Sequence, residues 1–590
     1  MELGLSKNNY KIRIQFIFLL VLFILLPILN WGFGINEQPY FIAITGLWGL
    51  FNFITNRTQQ VVLTSVDIWV AVFIVYQIAH FALLGNVPFF EMTFWWRLSF
   101  VLIYFILKDS VNNDQNTSKK GLVFLLLFRF GIELCIGTLQ YFDIIDISIS
   151  EHFKVAGTFS STNHYAICLS VGLITMLLQL KKSMQQKLFY IMAFIAGLAS
   201  VLLIIHTKSR SAFLGLITAL AVCFILKEGG ITKFNALSKA LKTAIVTLLI
   251  VILGLGGYAL YGLKKDSANG RVFAARMTLG ETIKKPIFGH GLFRFEAGYN
   301  SAKSNYFNKE TRVWDEIKIG NHIDHAMNDY LEISYEIGLV GLILLILIIL
   351  KAFKAVKNYD KYAYIGIAVF TVFIVAAVFT TLYVNAFFII AAVFALYLII
   401  DYYTIIKIKK VYKYKLFTLV ASLLILAVGG AKIYGSYWEK SQRQNPENKV
   451  ASSNWELWSK IMADKGQAQF VFGSVLHKTY NQKLKALRVM EQGVMKNKRP
   501  ENVRKLALYH AHNGNLKKAE QLLVFNIGNE PFLFEPRHDL AVIYQKTGQH
   551  KKYVQMLKTI IDFPEKVPSQ KVTDLKNDAK KRLKEALKEQ

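Results

Sequence analysis

The sequence predicts an all-α protein, a polytopic membrane helical bundle of about 13 spans followed by a soluble α-helical domain. Three observations carry that expectation. Of the 590 residues, 54% are apolar, and they gather into runs of roughly twenty, the length that crosses a hydrocarbon core as a helix. The connections between runs alternate in charge. Beyond residue 434 the apolar residues return at helical spacing in a lysine-rich background, as in a water-exposed helical domain.

In order, the expected spans are 14–33, 39–55, 66–84, 89–107, 121–140, 162–180, 188–206, 210–226, 243–262, 330–350, 361–381, 384–406 and 415–434. Lys7, Lys11 and Arg13 precede the first. Later basic connections hold Lys108, Lys119 and Lys120; Lys181, Lys182 and Lys187; Lys227, Lys233, Lys239 and Lys242; and Lys351, Lys354, Lys357 and Lys361. "KIKKVYKYK" (407–415) closes the series, while the opposite short connections "GNVPFF" (85–90) and "TTLYVN" (380–385) carry no charge. The positive-inside rule then puts the N-terminus in the cytoplasm and residues 263–329, with everything after 434, outside. The net charge of +30 is accounted for by topology, and no nucleic-acid partner is expected. Cys135, Cys168 and Cys223 all lie within apolar runs, which argues against a disulfide framework or a zinc site. The first apolar run lacks a small-residue cleavage site and reads as a retained span.

Two domains follow: 1–434 in the membrane, including the outer loop 263–329, and 435–590 outside. The second contains a repeat. "LALYHAHNGNLKKAEQLL" (506–523) matches "LAVIYQKTGQHKKYVQML" (540–557), with Leu506/Leu540, Ala507/Ala541 and Gly514/Gly548 in register. Two helices with a glycine at the turn, repeated every 34 residues, resemble the tetratricopeptide repeat. A preceding pair around 467–497 reads as a degenerate third copy. Such a module is expected to dock a protein partner.

Polar residues at the outer membrane face gather in four stretches. "VAGTFSSTNHYAICL" (155–169) starts the sixth span, and "HTKSRSAFLGL" (206–216) is a tight hairpin that leaves Lys208 and Arg210 at the ends of two spans. The long loop carries "DSANGRVFAARMTLGETIKKPIFGHGLFRF" (266–295), and "NHIDHAMNDYLEISYEIG" (321–338) opens the tenth span. Wound as a helix, His325, Asp329, Glu332 and Glu336 fall on one narrow face, with Glu336 about 11 Å deeper than Asp329. Ionisable groups at that depth are costly and call for partners. Arg97 and Glu133, at similar depths in antiparallel spans, are expected to pair with each other.

The combination of "SRSA" (209–212), "NGR" (269–271), "PIFGHG" (286–291) and "NDYLEISYEIGLVG" (328–341) resembles the O-antigen ligase family over roughly 155–400. That family includes lipopolysaccharide O-antigen ligases and bacterial protein O-oligosaccharyltransferases, with O-antigen polymerases as relatives. The resemblance implies a membrane glycosyltransferase-type fold in the bacterial inner membrane. It also implies transfer of a glycan from an undecaprenyl-diphosphate carrier to an acceptor hydroxyl at the periplasmic face. The acceptor would be lipid A-core, a protein Ser/Thr, or the end of a growing polysaccharide, the last making the chain a polymerase. By the same resemblance Arg210 and Arg271 hold the diphosphate; the polar residues around them, Lys208 (which taken alone reads as a snorkelling span end), Arg276, Asn163, Asn328, Asp329 and Glu336, are the expected further substrate contacts. Many members read His-x-His-Asn where this chain reads His325-Ala326-Met327-Asn328. Met327 cannot take a proton, so His325 is assigned as the base that activates the hydroxyl, oriented by Asp329, with His322 or Asp329 as substitutes. Glu336 and Gly338 match the family's Glu-x-Gly.

The physics agrees with the arginines. A departing lipid diphosphate gains charge as the C1–O bond breaks, and guanidinium forks match phosphate oxygens and stay protonated. The outer segments contain no Asp-x-Asp pair, so metal-independent, inverting chemistry without a cofactor is expected. A lipid-linked glycan transporter, the competing class, calls for charges spread through the bundle and internally repeated spans.

Overall fold

In the computed structural model the described residues are 7–55, 61–84, 88–110, 115–145, 154–180, 187–226, 238, 243, 265–309, 313–356, 360–400, 406–408, 411–444, 451–464 and 466–588. Each expected span within them contains a helix, but the helices end at Ala376 and Ile399 where the spans 361–381 and 384–406 were expected to continue, and Ile406 lies in a strand. α1 (Lys7–Leu20) runs through a π-helical turn into α2 (Leu26–Phe33), and α3 to α9 occupy Glu37–Thr55, Ser65–Leu84, Met92–Ser110, Gln115–Tyr141, Thr162–Gln179, Lys187–Thr207 and Arg210–Leu226. The span expected at 243–262 lies outside the described residues. The described part of loop 263–329, the expected outer loop, folds as α10 (Lys265–Thr282), α11 (Phe295–Lys309) and α12 (Trp314–Ile317), and α13 to α16 are Asp329–Lys354, Lys361–Ala376, Ala386–Ile399 and Val411–Gln444. Among the described residues, six helical segments are long and apolar enough to cross a membrane: Ile14–Phe33, Ser65–Leu83, Thr117–Tyr141, Tyr190–Thr207, Asp329–Lys354 and Lys415–Gln442. α9, α14 and α15 are apolar but shorter. One antiparallel ribbon of three-residue strands, β1 (Val61–Leu63) with β2 (Ile406–Ile408), joins two of the connections.

α7, α14 and α15 form the centre, with Tyr165, Ile174, Val369, Ile390 and Phe394 fully or almost fully buried. Buried charges are paired there, as a low-dielectric interior requires. Arg129 and Glu133, one turn apart on α6, form an ion pair at 2.6 Å. Glu133 also accepts from the Thr158 hydroxyl and backbone N–H at 2.6 and 3.0 Å. The Gln140 carbonyl accepts from the N–H groups of Ala156 and Gly157 at 3.0 and 2.8 Å. These bonds sew segment 155–158 onto α6. They also correct the expected pairing of Glu133 with Arg97: an i,i+4 partner on its own helix reaches Glu133 first, and Arg97 pairs with Glu336 at 3.5 Å.

α13 contains a sharp backbone break. Gly338 has φ 70° and ψ −173° and interrupts the helix, which frees carbonyls before it and N–H groups after it. The "PIFGHG" segment takes four of them, and the Ile337 carbonyl accepts from the Tyr76 hydroxyl at 2.7 Å. His290 and Gly291 N–H donate to the carbonyls of Tyr335 and Glu336 at 2.8 and 2.9 Å, and Leu339 and Val340 N–H donate to Pro286 and Ile287 at 2.8 and 3.3 Å. The two motifs are therefore halves of one backbone joint. A Cβ on Gly338 would stand 2.0 Å from the Ile287 carbonyl oxygen, besides requiring a left-handed φ. Gly338→Ala is expected to cost about 3 kcal/mol or more, read as a large fall in melting temperature or in the amount of folded protein in the membrane. Gly280→Ala, whose added Cβ meets nothing within 4 Å, is expected to be neutral or mildly stabilising; equal losses in both variants would contradict the joint.

The remaining helices are α17 (Ser452–Ile461), α18 (Gln467–Lys478), α19 (Lys483–Asn497), α20 (Pro500–His512), α21 (Leu516–Asn529), α22 (Glu535–Lys546), α23 (His550–Asp562) and α24 (Gln570–Lys588). The pairs α20–α21 and α22–α23 turn alike. Gly514 and Gly548 have φ 80° and 67°, and Asn515 N–H to His510 O and Gln549 N–H to Tyr544 O are both 2.9 Å. The repeated Ala507 and Ala541 are buried, as are Leu523 and Leu557. The membrane-domain boundary expected at 434 falls inside α16, which continues to Gln444.

This helical region docks on the outer loop. Ser304 Oγ and Asn308 Nδ2 of α11 donate to the carbonyls of Phe525 and Val524 at 2.7 and 3.0 Å. Arg499 Nε lies 3.3 Å from Glu296 Oε1, and His322 N–H donates to Glu530 at 3.1 Å. Lys303 is fully buried at this junction and donates to the Asn321 carbonyl. Burial pushes its ammonium down to about 7, with Glu530 opposing and Lys566 adding to the shift.

Candidate functional site

Three chain segments meet in a cavity of about 270 Å³ lined by Ser161–Asn163, Thr207–Arg210 and Ser267, Ala268 and Arg271. Local chemistry explains the shape. Ser161 caps α7, its hydroxyl accepting from Asn163 N–H at 3.3 Å, the usual device for satisfying a first-turn donor. The hairpin from α8 to α9 turns at Lys208, which holds φ 55°, so α9 begins at Arg210. The Ser209 and Ser211 hydroxyls both donate to Asn163 Oδ1, at 2.5 and 2.7 Å, and lock the two helix starts together. Two helix N-termini thus open on one cavity that also contains Lys208, Arg210 and Arg271. Each N-terminus carries roughly half a positive charge, and backbone donors there bind anions. Burial, and then the neighbouring Arg210 charge, hold the Arg271 guanidinium below its usual value. Two such cations side by side are favourable when an anion sits between them.

The other expected contacts lie elsewhere. Arg276 is five residues past Arg271 on α10, about 140° around the helix, and it faces away. Its Nη2 donates to the Tyr306 hydroxyl at 2.9 Å and lies 3.8 Å from Glu316. Asn328 caps α13, its carbonyl accepting from Leu331 N–H at 3.0 Å while its amide donates to the Val378 carbonyl at 2.9 Å. Asp329 is buried and accepts from Leu382 N–H at 3.1 Å. Both residues hold the connection between α14 and α15. Glu336 is buried against Arg97 beside an apolar groove of about 340 Å³. Arg97 also stacks over the Tyr383 and Phe293 rings at 4.7 and 5.1 Å. None of His325, Arg276, Asn328, Asp329 or Glu336 lines the cavity of Arg210 and Arg271, although His325 was expected to face it.

His325 precedes α13 rather than lying on it, which corrects the single helical stripe. The chain reverses through Met327, at φ 55°, and this folds His325 back over the first turn. Its Nδ1 lies 2.9 Å from Glu332 Oε1 and 3.2 Å from the Tyr383 hydroxyl. Tyr383 donates to the same Glu332 oxygen, and Ala326 N–H donates to the other at 2.7 Å. The orienting carboxylate is therefore Glu332, and not Asp329 as expected. Every bond recorded for the His325 ring among the described residues uses Nδ1. This is the arrangement of a carboxylate-held imidazole, with Nε2 left to exchange a proton. Sequence reasoning placed Glu332 on the polar face but gave it no task, and Tyr383, from a different connection, left no signal.

His322, the substitute base, is committed to Glu296 and Asp324, 3.3 Å from each. Burial alone would depress it, but the two carboxylates hold its value above the usual one. Glu296, His322 and Asp324 are close enough to hold a cation, their ligand atoms lying within 4.8 Å of one another. The Arg499 guanidinium stands 3.3 Å from Glu296 and 3.8 Å from Asp324 and supplies positive charge there itself.

A larger chamber of about 550 Å³ adjoins the cavity of Arg210 and Arg271 and shares Ser267 and Arg271 with it; Met327 also lines the chamber. No curated protein matches the chain. The Wzy_C family, O-antigen ligase, matches residues 195–346, the stretch that holds the Lys208–Arg210 hairpin, Arg271, the "PIFGHG" joint and the start of α13. The match covers roughly a quarter of the chain, and over residues 195–346 this membrane protein is similar to the O-antigen ligase family.

Proposed function

We propose that the chain transfers a glycan from an undecaprenyl-diphosphate carrier to an acceptor hydroxyl at the periplasmic face of the bacterial inner membrane. The observation that carries this reading is the convergence of two helix N-termini with Lys208, Arg210 and Arg271 on one cavity, a receptor for a concentrated negative charge. The hydroxyl oxygen attacks C1 of the linked sugar from the face opposite the diphosphate, inverting the centre. The C1–O electron pair passes to the departing diphosphate, where the guanidinium groups meet the new charge. The hydroxyl proton passes to Nε2 of His325, and Glu332 stabilises the resulting imidazolium. No metal is needed in this scheme, because the arginines occupy the place a divalent cation would take. The helical repeats at 500–562 serve as a tetratricopeptide-like docking surface for a protein partner.

Deleting the gene tests the assignment. One glycoconjugate is expected to disappear while its undecaprenyl-linked glycan accumulates, and an arginine-to-alanine copy at 271 fails to restore it. Normal glycoconjugates with no accumulation would reject glycan transfer.

A further inference from the structure

The chamber beside Arg271 is not closed by the O-antigen ligase domain alone. One wall is Glu565, Lys566 and Val567, which belong to the loop between α23 and α24, far along the chain. That loop is fixed in place. Lys566 Nζ donates to Asn321 Oδ1 at 2.7 Å and lies 3.7 Å from the centroid of the Phe532 ring. Phe563, at the start of the loop, packs edge-on against Trp314 of the outer loop, centroids 5.6 Å apart. Pro564 and Pro568 bracket the three wall residues, which restricts the backbone between them.

We propose that this loop completes a sugar-binding chamber next to the diphosphate cavity, and that Lys566 is a positioning residue for the glycan on the carrier. The proposal rests on the diphosphate reading of Arg210 and Arg271. Arg271 lines both spaces, so the sugar whose C1 is bonded to the diphosphate lies at their junction and the glycan continues into the chamber. The chamber suits it. Its volume is in the range of small-molecule sites. Trp314 offers an aromatic face to sugar C–H groups, while Asp266, Asn321, Glu565 and Lys566 offer donors and acceptors to hydroxyls. The exported helical region is then part of the site and selects among glycans, in addition to docking a partner.

The test uses the full-length chain in liposomes with two probes: glycan-free undecaprenyl diphosphate, and the lipid-linked glycan isolated from the deletion strain. Lys566→Ala is expected to weaken binding of the glycan-bearing probe and raise its KM by about tenfold, leaving affinity for the glycan-free probe unchanged. Val567→Trp, at a position 69% exposed, obstructs the chamber without entering a core and does the same. Lys566→Arg, which keeps a cation able to reach Asn321, retains function. Unchanged glycan binding in both Lys566→Ala and Val567→Trp overturns the inference, and so does an equal loss for both probes, which would place the effect in the fold or the diphosphate cavity. Glycan-free carrier binding that survives Arg271→Ala instead rejects the reading on which the inference rests.

Discussion

Replacing Arg271 by lysine lowers glycan transfer by about 10²–10³-fold with the chain still folded, and Arg210→Lys does the same. The magnitude is that of removing one fixed donor from a site where charge develops in the transition state. The substitution keeps the positive charge, so long-range attraction for the carrier survives. What it removes is a planar, two-pronged donor aimed at two oxygens at once. Arg271 is held for this task on α10, where burial and the neighbouring Arg210 already work against its charge. A diphosphate relieves both penalties, and it does so most strongly as the C1–O bond breaks and its charge grows. The loss is therefore expected mainly in kcat, with a smaller rise in KM. The double variant is expected to fall short of the product of the single losses, because the two groups act on one anion. Arg276→Lys is the matched control, since its guanidinium is engaged by Tyr306 and Glu316. Transfer at the normal rate in both Arg210→Lys and Arg271→Lys, measured per folded molecule, would remove the diphosphate role from this cavity.

The membrane helices and the arginine pair were legible because their signals are local. A twenty-residue apolar run needs no partner to be recognised, and Ser161, Asn328 and Asn385 stand where helix caps should. The hairpin at 206–216 is so short that Arg210 could only begin a helix. Less legible was anything decided by which helix lies beside which. Arg97 faced two carboxylates at plausible depth in the sequence, and its choice of Glu336 over Glu133 follows from α13 packing against α4, whose Phe81 stacks on Phe94 of α5. Glu336 sits just before the break at Gly338, so its place depends on the joint with "PIFGHG", which pairs backbones across a long stretch of chain. The wall at 565–567 left no trace in the sequence, because a surface loop next to a distant chamber shows neither periodicity nor motif. The equivalent turns at Gly514 and Gly548 were legible as a repeat. The outer-loop surface on which those helices rest was not.

His325→Ala is expected to reduce transfer by about 10²–10⁴-fold, the usual worth of general-base assistance, with little change in thermal stability. The ring is only partly buried, with 23% of its side chain exposed, so truncation leaves no core cavity. Its removal also leaves Glu332 accepting from Tyr383 and from Ala326 N–H, so the carboxylate keeps partners. Glu332→Gln separates orientation from basicity. A glutamine oxygen can still accept from Nδ1–H and keep the imidazole in place, but it gives an imidazolium no charge to lean on, so the rate falls while carrier affinity stays. Met327 supplies the counter-test. It lines the chamber that contains Arg271 and lies two residues after His325. Met327→His in the His325→Ala background is expected to recover part of the lost rate if proton transfer is what is missing. If His325→Ala transfers glycan normally at every pH, the base assignment is wrong, and departure of a well-stabilised diphosphate suffices to drive the reaction.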